Sequence, residues 1–437
     1  MTQTIAFHTL GCKLNFAESS DLLRRFVNEG YKEVGFKDKA DVYVINTCTV
    51  TQIAESKCRN AIRQAHHINP KAIIAVIGCF SQVNSKEIEK IEGVNIILGN
   101  DDKHLLIEKV KESEKRIIND EKHEIDNSVI DISSLKSFYS SYSSNDRTRA
   151  FLKVQDGCDY FCTYCEIPFA RGRSRSCSIE EAVSDAKTLA KQGKKEIVIT
   201  GVNIGDFGKE RNETFLDLIK SLDKVEGIKR YRISSIEPDL LSKEIIDFCF
   251  SSRAFLPHFH IPLQSGSNKV LKTMKRRYLR EEFEEKVNYI HELMPNCFIA
   301  ADVMVGANDE TEDEWLSSYK FLESLPLAFI HVFTYSQRPN TLANKIGEVI
   351  PVHLRRQRSE ELQKLAYKKK EEFYKTNINY ECKVLWEETK KDGKMYGFTN
   401  NYIRCQREYD SKYINTITTE KIIKLSKDKE YFIIENL

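Results

Sequence analysis

Three cysteines within eight residues, Cys158-Asp-Tyr-Phe-Cys162-Thr-Tyr-Cys165, constrain this chain more than any other feature. Three thiolates at C-x3-C-x2-C spacing can hold three irons of a [4Fe–4S] cube, and with no fourth cysteine nearby in sequence the last iron is left open. An open iron can chelate the amino and carboxylate groups of S-adenosylmethionine. An electron from the cluster then breaks the sulfonium–carbon bond and releases a 5′-deoxyadenosyl radical. A structural zinc knuckle is a poorer match, because zinc asks for a fourth nearby ligand and for even C-x2-C pairs.

The segments around the motif predict the fold that carries it. Between residues 148 and 350 six strand-like runs alternate with helical patterns: Phe151–Gln155, Glu196–Gly201, Arg230–Ser235, Pro257–Pro262, Phe298–Val305 and Ile330–Tyr335. A complete barrel of this kind has eight βα units, so six predict a partial (β/α)6 barrel with one side open to a large substrate. The cysteine motif follows the first of these strands, at the C-terminal end where barrel active sites are built.

Residues 1–112 show the same alternation, with strand runs Ile5–Leu10, Asp41–Asn46, Ala72–Gly78 and Asn95–Leu98 and helical patterns Phe16–Glu29 and Ile53–His66. This predicts an N-terminal parallel α/β domain. Cys12, Cys48 and Cys79 each follow one of its first three strands, 36 and 31 residues apart, which is about one βα unit each. Parallel strands bring the three thiols to one sheet edge, again a set suited to a cluster with a free iron. Cys58, Cys177, Cys249, Cys297, Cys382 and Cys405 share no pattern and read as small buried hydrophobes.

Residues 113–147, rich in Glu, Lys, Ser and Asn and including Ser133-Ser134, read as a linker between the first domain and a central domain spanning 148–374. One charged helix is predicted over 353–375, and residues 375–437 carry short strands separated by turn residues, the pattern of a small β-barrel. The net charge is only +2, so any contact with nucleic acid falls to local basic patches. No apolar run approaches the length of a membrane span, and the N-terminus lacks a basic region followed by a long apolar core. A cytoplasmic protein is expected, in which cysteines serve metals or catalysis rather than disulfides.

With these residues in view the chain resembles the methylthiotransferases, a radical S-adenosylmethionine family with an N-terminal cluster domain, a central radical-SAM domain and a C-terminal TRAM barrel that binds RNA. The resemblance is carried by Gly11-Cys12, Asn46-Thr47-Cys48, Gly78-Cys79, the C-x3-C-x2-C motif, Pro168-Phe-Ala-Arg171-Gly172 and His260-Ile-Pro-Leu-Gln264-Ser265-Gly266-Ser267. Thr9–Asn15, Asn46–Thr51 and Arg232–Pro238 resemble the bacterial branch that acts on N6-threonylcarbamoyladenosine in tRNA. Two departures stand out. The family often reads Val-Gly-Phe-Pro-Gly-Glu-Thr where this chain has Val305-Gly306-Ala307-Asn308-Asp309-Glu310-Thr311, and Arg-Ser-Arg where it has Arg175-Ser176-Cys177. Asn and Asp tolerate turn conformations, so the first loop is expected to survive.

The resemblance implies two [4Fe–4S] clusters, an auxiliary one on Cys12, Cys48 and Cys79 and a radical one on Cys158, Cys162 and Cys165. It also implies S-adenosylmethionine as both methyl donor and radical source, and C2 of the tRNA adenosine as the target. Gly201, Asn203, Glu237 and Gln264 end barrel strands and are candidates for the cofactor. Arg171, Arg173, Arg175, Arg276, Arg277, Tyr402 and Arg404 are candidates for substrate or RNA. The expected partners are the anticodon stem-loop of tRNA and an electron donor such as flavodoxin or ferredoxin, with the enzyme a monomer. Alternative readings are methylthiolation of N6-isopentenyladenosine or of a ribosomal-protein aspartate, and a non-catalytic RNA-binding protein with structural metal.

Two cubes predict about eight irons per chain after anaerobic reconstitution. Changing Cys158, Cys162 and Cys165 together to Ala should halve that number, and a wild-type value near four would rule out the second cluster.

Overall fold

A computed structural model describes residues 2–119, 124–132, 135, 137–144, 148–426 and 430–436. The chain divides into two compact units, one of residues 1–143, 151–161 and 165–177, the other of residues 144–150, 162–164 and 178–437.

The first unit is built on a six-stranded, wholly parallel sheet in the order β2 (Lys32–Glu33), β1 (Thr4–Thr9), β3 (Val42–Thr47), β4 (Ile73–Gly78), β5 (Val94–Leu98), β6 (Asp126–Asn127). Every residue of β3, β4 and β5 is buried. That is why these strands read as continuous apolar runs, the mark of a parallel sheet covered on both faces. Helices α1 (Lys13–Asn28) and α4 (Leu106–Ile118) set Leu22, Phe26, Leu106 and Val110 against one face. Helices α2 (Gln52–Ile68) and α3 (Cys79–Ile88) set Cys58, Ile62, Phe80 and Ile88 against the other.

The expected linker is shorter than its composition suggested. Helix α4 runs on to Ile118, and Asp126–Asn127 pair with Ile96 and Ile97 as an edge strand, because β5 presents an open edge of backbone donors and acceptors. Ser133 and Ser134 lie outside the described residues. The unit also takes in the antiparallel pair of β7 (Ser141–Tyr142) with β8 (Ala150–Lys153), then β9 (Gln155–Asp156), the short helix α5 (Ile167–Arg171) and β10 (Arg175–Ser176). The residues flanking the C-x3-C-x2-C motif thus pack with the N-terminal domain, and the division in space does not follow the expected boundary at 147/148.

The second unit holds five of the six expected barrel strands, each followed by helix. They are β11 (Glu196–Thr200), β12 (Arg230–Ile233), β13 (His258–Gln264), β14 (Phe298–Val305) and β15 (Phe329–Thr334). Strands β11–β12 and β13–β14–β15 pair in parallel, and single bridges at Tyr231–Phe255 and Ser235–His260 join the two groups. Helices α6 (Ile179–Lys191), α7 (Phe215–Asp223), α8 (Lys243–Ser251), α9 (Asn268–Thr273), α10 (Arg280–Leu293) and α11 (Glu312–Ser324) separate the strands, and the expected charged helix forms as α12 (Val352–Thr376). Several starts are fixed by N-caps: Ser178 and Glu181 close a capping box on α6, and Thr214, Ser242 and Thr311 cap α7, α8 and α11.

Beyond α12 the chain closes a five-stranded barrel, β16 (Glu381–Lys391), β17 (Lys394–Thr399), β18 (Arg404–Glu408), β20 (Phe432–Asn436) and β19 (Ile417–Leu425), around Trp386, Met395, Cys405 and Phe432. The small barrel is held to β11 and β12 by one charged knot. Fully buried Glu196 pairs with Arg232 at 2.8 Å and lies 3.6 Å from Arg230 and 3.9 Å from Arg149. The two strand arginines turn their remaining donors to the carbonyls of Lys383, Phe398, Thr399 and Asn400. Burial alone would raise the Glu196 carboxyl, but the pull of Arg232, Arg149 and Arg230 is stronger and holds it below the ordinary range.

Glu196→Gln should therefore destabilise the second unit by about 3–5 kcal/mol, the usual cost of stranding buried charges, read by denaturant unfolding. In the wild type the knot's contribution is present above the unfolded carboxylate's titration near 4.5. It is lost as pH falls through the lower folded value, so the variant's deficit should shrink in acid.

Candidate active site

Each auxiliary thiol sits where a parallel strand ends. Cys12 occupies the N-cap of α1, Cys48 follows β3 and Cys79 opens α3. Two glycines make the approach close enough. Gly11, at φ +101°, would place a β-carbon 2.8 Å from Cβ and 3.0 Å from Sγ of Cys48, and Gly78, at φ +104°, would place one 2.6 Å from Asn46 Oδ1 and 2.8 Å from the Thr47 carbonyl. Only glycine meets both demands, positive φ and no side chain. Burial pushes the Cys48 thiol up to about 12, and the neighbouring Cys79 and Cys12 thiols add repulsion. Three thiols at neighbouring strand ends are a donor set that could hold a cluster iron.

Two further residues support this set. Cys58, read as structural, accepts from the Cys48 backbone N–H at 3.5 Å and donates to the Cys48 carbonyl at 3.6 Å. Asn100 donates to Cys79 Sγ at 3.4 Å and to the Ala170 carbonyl at 2.6 Å. Neither stands out in one sequence, since each acts through a partner distant along the chain.

Beside the thiols lies a buried ionic cluster. Glu18 pairs with Lys103 at 2.5 Å, Lys153 at 2.8 Å and Arg171 at 3.2 Å, and Asp156 with Lys153 at 2.8 Å, Arg171 at 2.9 Å and Arg175 at 3.5 Å. Two carboxylates thus face four cations. Burial opposes the charge on Arg171, but Asp156 and Glu18, with the Cys79 and Cys12 thiols adding, keep it firmly protonated. The cation excess next to the cysteines suits a thiolate-ligated, anionic group.

In the radical motif, the Cys158 N–H donates to the Gly172 carbonyl at 3.1 Å, and Phe161 adopts φ +50°, a left-handed conformation uncommon for an aromatic residue. Cys162 is buried and its Sγ accepts from Arg276 Nη1 at 3.1 Å. Thr163 ties the next turn to the carbonyls of Met274 and Thr273. Arg276 also pairs with Glu237 and donates from Nε to the Tyr278 hydroxyl at 3.0 Å. Burial pushes the Glu237 carboxyl up to about 7; Arg276 pulls against this while Asp239 and Asp302 add to it.

Residues 4–99 match the uncharacterized protein family UPF0004, and residues 152–322 match the Radical SAM superfamily. Curated relatives named threonylcarbamoyladenosine tRNA methylthiotransferase MtaB, from Aquifex aeolicus and Bacillus subtilis, are 39% and 37% identical. The matches cover 92% and 96% of this chain and 96% and 94% of theirs. The chain belongs to the MtaB-type radical SAM methylthiotransferase family. A relative named tRNA-2-methylthio-N(6)-dimethylallyladenosine synthase, from Thermodesulfovibrio yellowstonii, is 31% identical over 83% of each chain. Among solved structures, the radical S-adenosylmethionine methyltransferase TsrM of Kitasatospora setae shares the fold, with a TM-score of 0.57 at 13% identity over 78% of this chain and 77% of that one. A radical SAM methylthiotransferase uses S-adenosylmethionine and a [4Fe–4S] cluster, and no helix among the described residues is long and apolar enough to cross a membrane.

Within this methylthiotransferase the remaining candidates fall into distinct places. Gly201, Asn203, Glu237 and Gln264 lie at or just beyond the C-terminal ends of β11, β12 and β13. Asn203 is buried and donates to Asp206 at 3.0 Å, and Gln264 stands at φ +68° where the β13–β14 register shifts. Arg171, Arg175 and Arg276 were candidates for substrate or phosphate. The structure commits their donors instead to Glu18, Asp156 and Asn15, to the Ser137 and Arg171 carbonyls, and to Glu237 and Cys162, because buried guanidinium groups must be paired. Arg173 and Arg277 are exposed, Arg173 lying over the Phe161 ring at 4.5 Å. Tyr402, at φ +63°, is wedged among His258, Phe298 and Phe398 and so packs the small barrel against β13 and β14 rather than facing RNA, while Arg404 lies over Tyr396 at 4.5 Å. Both departures from the family pattern are accommodated. Asp309 takes φ +63° in the loop where a glycine is usual, and Cys177 is a core residue whose Sγ donates to the Val154 carbonyl at 3.5 Å.

Gly78→Ala should lower iron content after reconstitution from about eight to about four per chain while far-UV circular dichroism stays unchanged. The added methyl group would crowd Asn46 Oδ1 and the Thr47 backbone, next to Cys48, at a φ that disfavours any side chain.

Proposed function

We propose that this chain converts N6-threonylcarbamoyladenosine beside the anticodon of tRNA to its 2-methylthio derivative, with an auxiliary cluster on Cys12, Cys48 and Cys79 and a radical cluster on Cys158, Cys162 and Cys165. The convergence of the first three thiols at neighbouring strand ends, beside the cation-rich cluster of Arg171, supports the reading. A second cluster there would serve sulfur transfer, since simple cleavage of S-adenosylmethionine does not require one. The relatives named for threonylcarbamoyladenosine support the substrate.

When bound, the clusters and S-adenosylmethionine supply the electron, the radical and the methylated sulfur, and C2 of a purine, with its unactivated hydrogen, calls for radical rather than acid–base chemistry. The chain's own residues position and insulate. Asn100 orients Cys79, and the Cys58 thiol, bonded to both the N–H and the carbonyl of Cys48, holds that turn. Arg276 places a positive charge on Cys162 and is itself fixed by Glu237 and Tyr278. Gly201, Asn203, Glu237 and Gln264, at the strand ends, are the groups we assign to the S-adenosylmethionine rim. Arg173 and Arg277, being exposed, are left to meet phosphates of the anticodon stem-loop. The electron comes from a small donor such as flavodoxin or ferredoxin, and the enzyme acts as a cytoplasmic monomer.

Two anticodon stem-loops differing only in a threonylcarbamoyl or isopentenyl group on the target base test this reading by nucleoside mass spectrometry. The wild type should methylthiolate the first in preference; preference for the second overturns the substrate. The triple variant Cys12→Ala, Cys48→Ala, Cys79→Ala should still form 5′-deoxyadenosine but no methylthio product, and product at the normal rate removes the auxiliary site from the mechanism.

A further inference from the structure

Three polar side chains in the second unit have no part in holding either cluster. Register pairs Pro262 of β13 with Asp302 of β14, and Asp302 with His331 of β15. By strand alternation His260, Asp302 and His331 project from one face of this sheet. Their ligand atoms lie within 4.8 Å of one another, and the imidazole rings of His260 and His331 are 5.0 Å apart between centroids. The intervening residues on the opposite face, Ile261, Ala301, Val303 and Ile330, are almost wholly buried, whereas His260 and Asp302 keep 20% and 19% of their side-chain surface open. This is a polar trio on a partly open wall of the sheet. The same wall reaches toward the radical motif, since Asp302 acts electrostatically on Glu237, and Glu237 pairs with Arg276, which donates to Cys162.

We propose that His260, Asp302 and His331 form the subsite that reads the hydroxy-acid substituent of the target base, an inference that rests on the threonylcarbamoyladenosine substrate proposed above. The chemistry matches group by group. A threonyl side group offers a carboxylate, which needs donors, and a hydroxyl, which needs an acceptor. His331 supplies a donor, and the Asp302 carboxylate oxygen that does not bond His260 supplies the acceptor. The hydrogen bond between His260 Nε2 and Asp302 Oδ1, 2.6 Å long, fixes the His260 ring and places a proton between those atoms. The trio also explains how relatives with an apolar-substituted substrate are told apart. A dimethylallyl group would set an apolar chain against this polar wall and offer it no hydrogen bond, and a site built for polar groups rejects such an analogue strongly.

The test uses the full-length, cluster-reconstituted enzyme and the same two stem-loops. His331→Phe should raise KM for the threonylcarbamoyl stem-loop roughly 10-fold or more, the usual effect of losing a charge-assisted hydrogen bond. The ratio of kcat/KM between the two stem-loops should shift toward the isopentenyl form. His331→Gln, which keeps a donor at that position, should restore most of the preference and guards against misfolding as the cause. Asp302→Asn should shift the ratio in the same direction. If the wild type prefers the threonylcarbamoyl stem-loop but both His331→Phe and Asp302→Asn leave the ratio within about twofold, the subsite is refuted while the substrate stands. If the wild type itself prefers the isopentenyl stem-loop, both fall. Anaerobic addition of Co2+ is the last arm: a d–d absorption band present in the wild type and lost in His331→Phe would make the trio a metal site and overturn the proposal.

Discussion

The buried ionic cluster of Glu18, Asp156, Lys103, Lys153, Arg171 and Arg175 is the interaction on which the first unit depends. Its members come from α1, the turn after β5, β8, β9, α5 and β10, so it ties the N-terminal sheet to the residues on either side of the radical motif. Removing any one partner would strand a charge in a nearly water-free interior, at a cost larger than an isolated surface pair ever contributes.

The second unit repeats the strategy with Glu196 at its centre, and the contrast is instructive. Around Glu18 and Asp156, cations outnumber carboxylates and the surplus lies beside thiols. Around Glu196 the surplus donors of Arg230 and Arg232 are absorbed by backbone carbonyls. One arrangement presents charge to a site, and the other neutralises it within a joint.

Much of this was legible in the sequence because the signals were local or periodic. The buried runs of β3 and β4, the cysteines at strand ends and the turn-punctuated C-terminal strands each announce themselves within a window of ten residues. What escaped notice depends on pairs far apart. Nothing in the neighbourhood of Arg171 reveals Glu18, 153 residues earlier, and the pairing of Arg276 with Glu237 is equally hidden. Asn100 and Cys58 are unremarkable in sequence and gain a role only from the sulfur or peptide group beside them. Tyr402 was expected at an RNA surface, and its neighbours His258 and Phe298 belong to a different barrel altogether. The edge strand Asp126–Asn127 was hidden because two residues carry no periodicity.

The joint between the small barrel and β12 is made to main-chain oxygens at Lys383, Phe398, Thr399 and Asn400. A carbonyl is present whatever side chain its residue bears, so the grip of Arg230 and Arg232 is indifferent to the identity of those positions. Side chains at these four positions can therefore change without loosening this grip, while Tyr402 and Asn401 add side-chain contacts of their own. A lineage could re-tailor the outer surface of its C-terminal barrel to a different nucleic acid while the angle at which that surface is presented stays inherited.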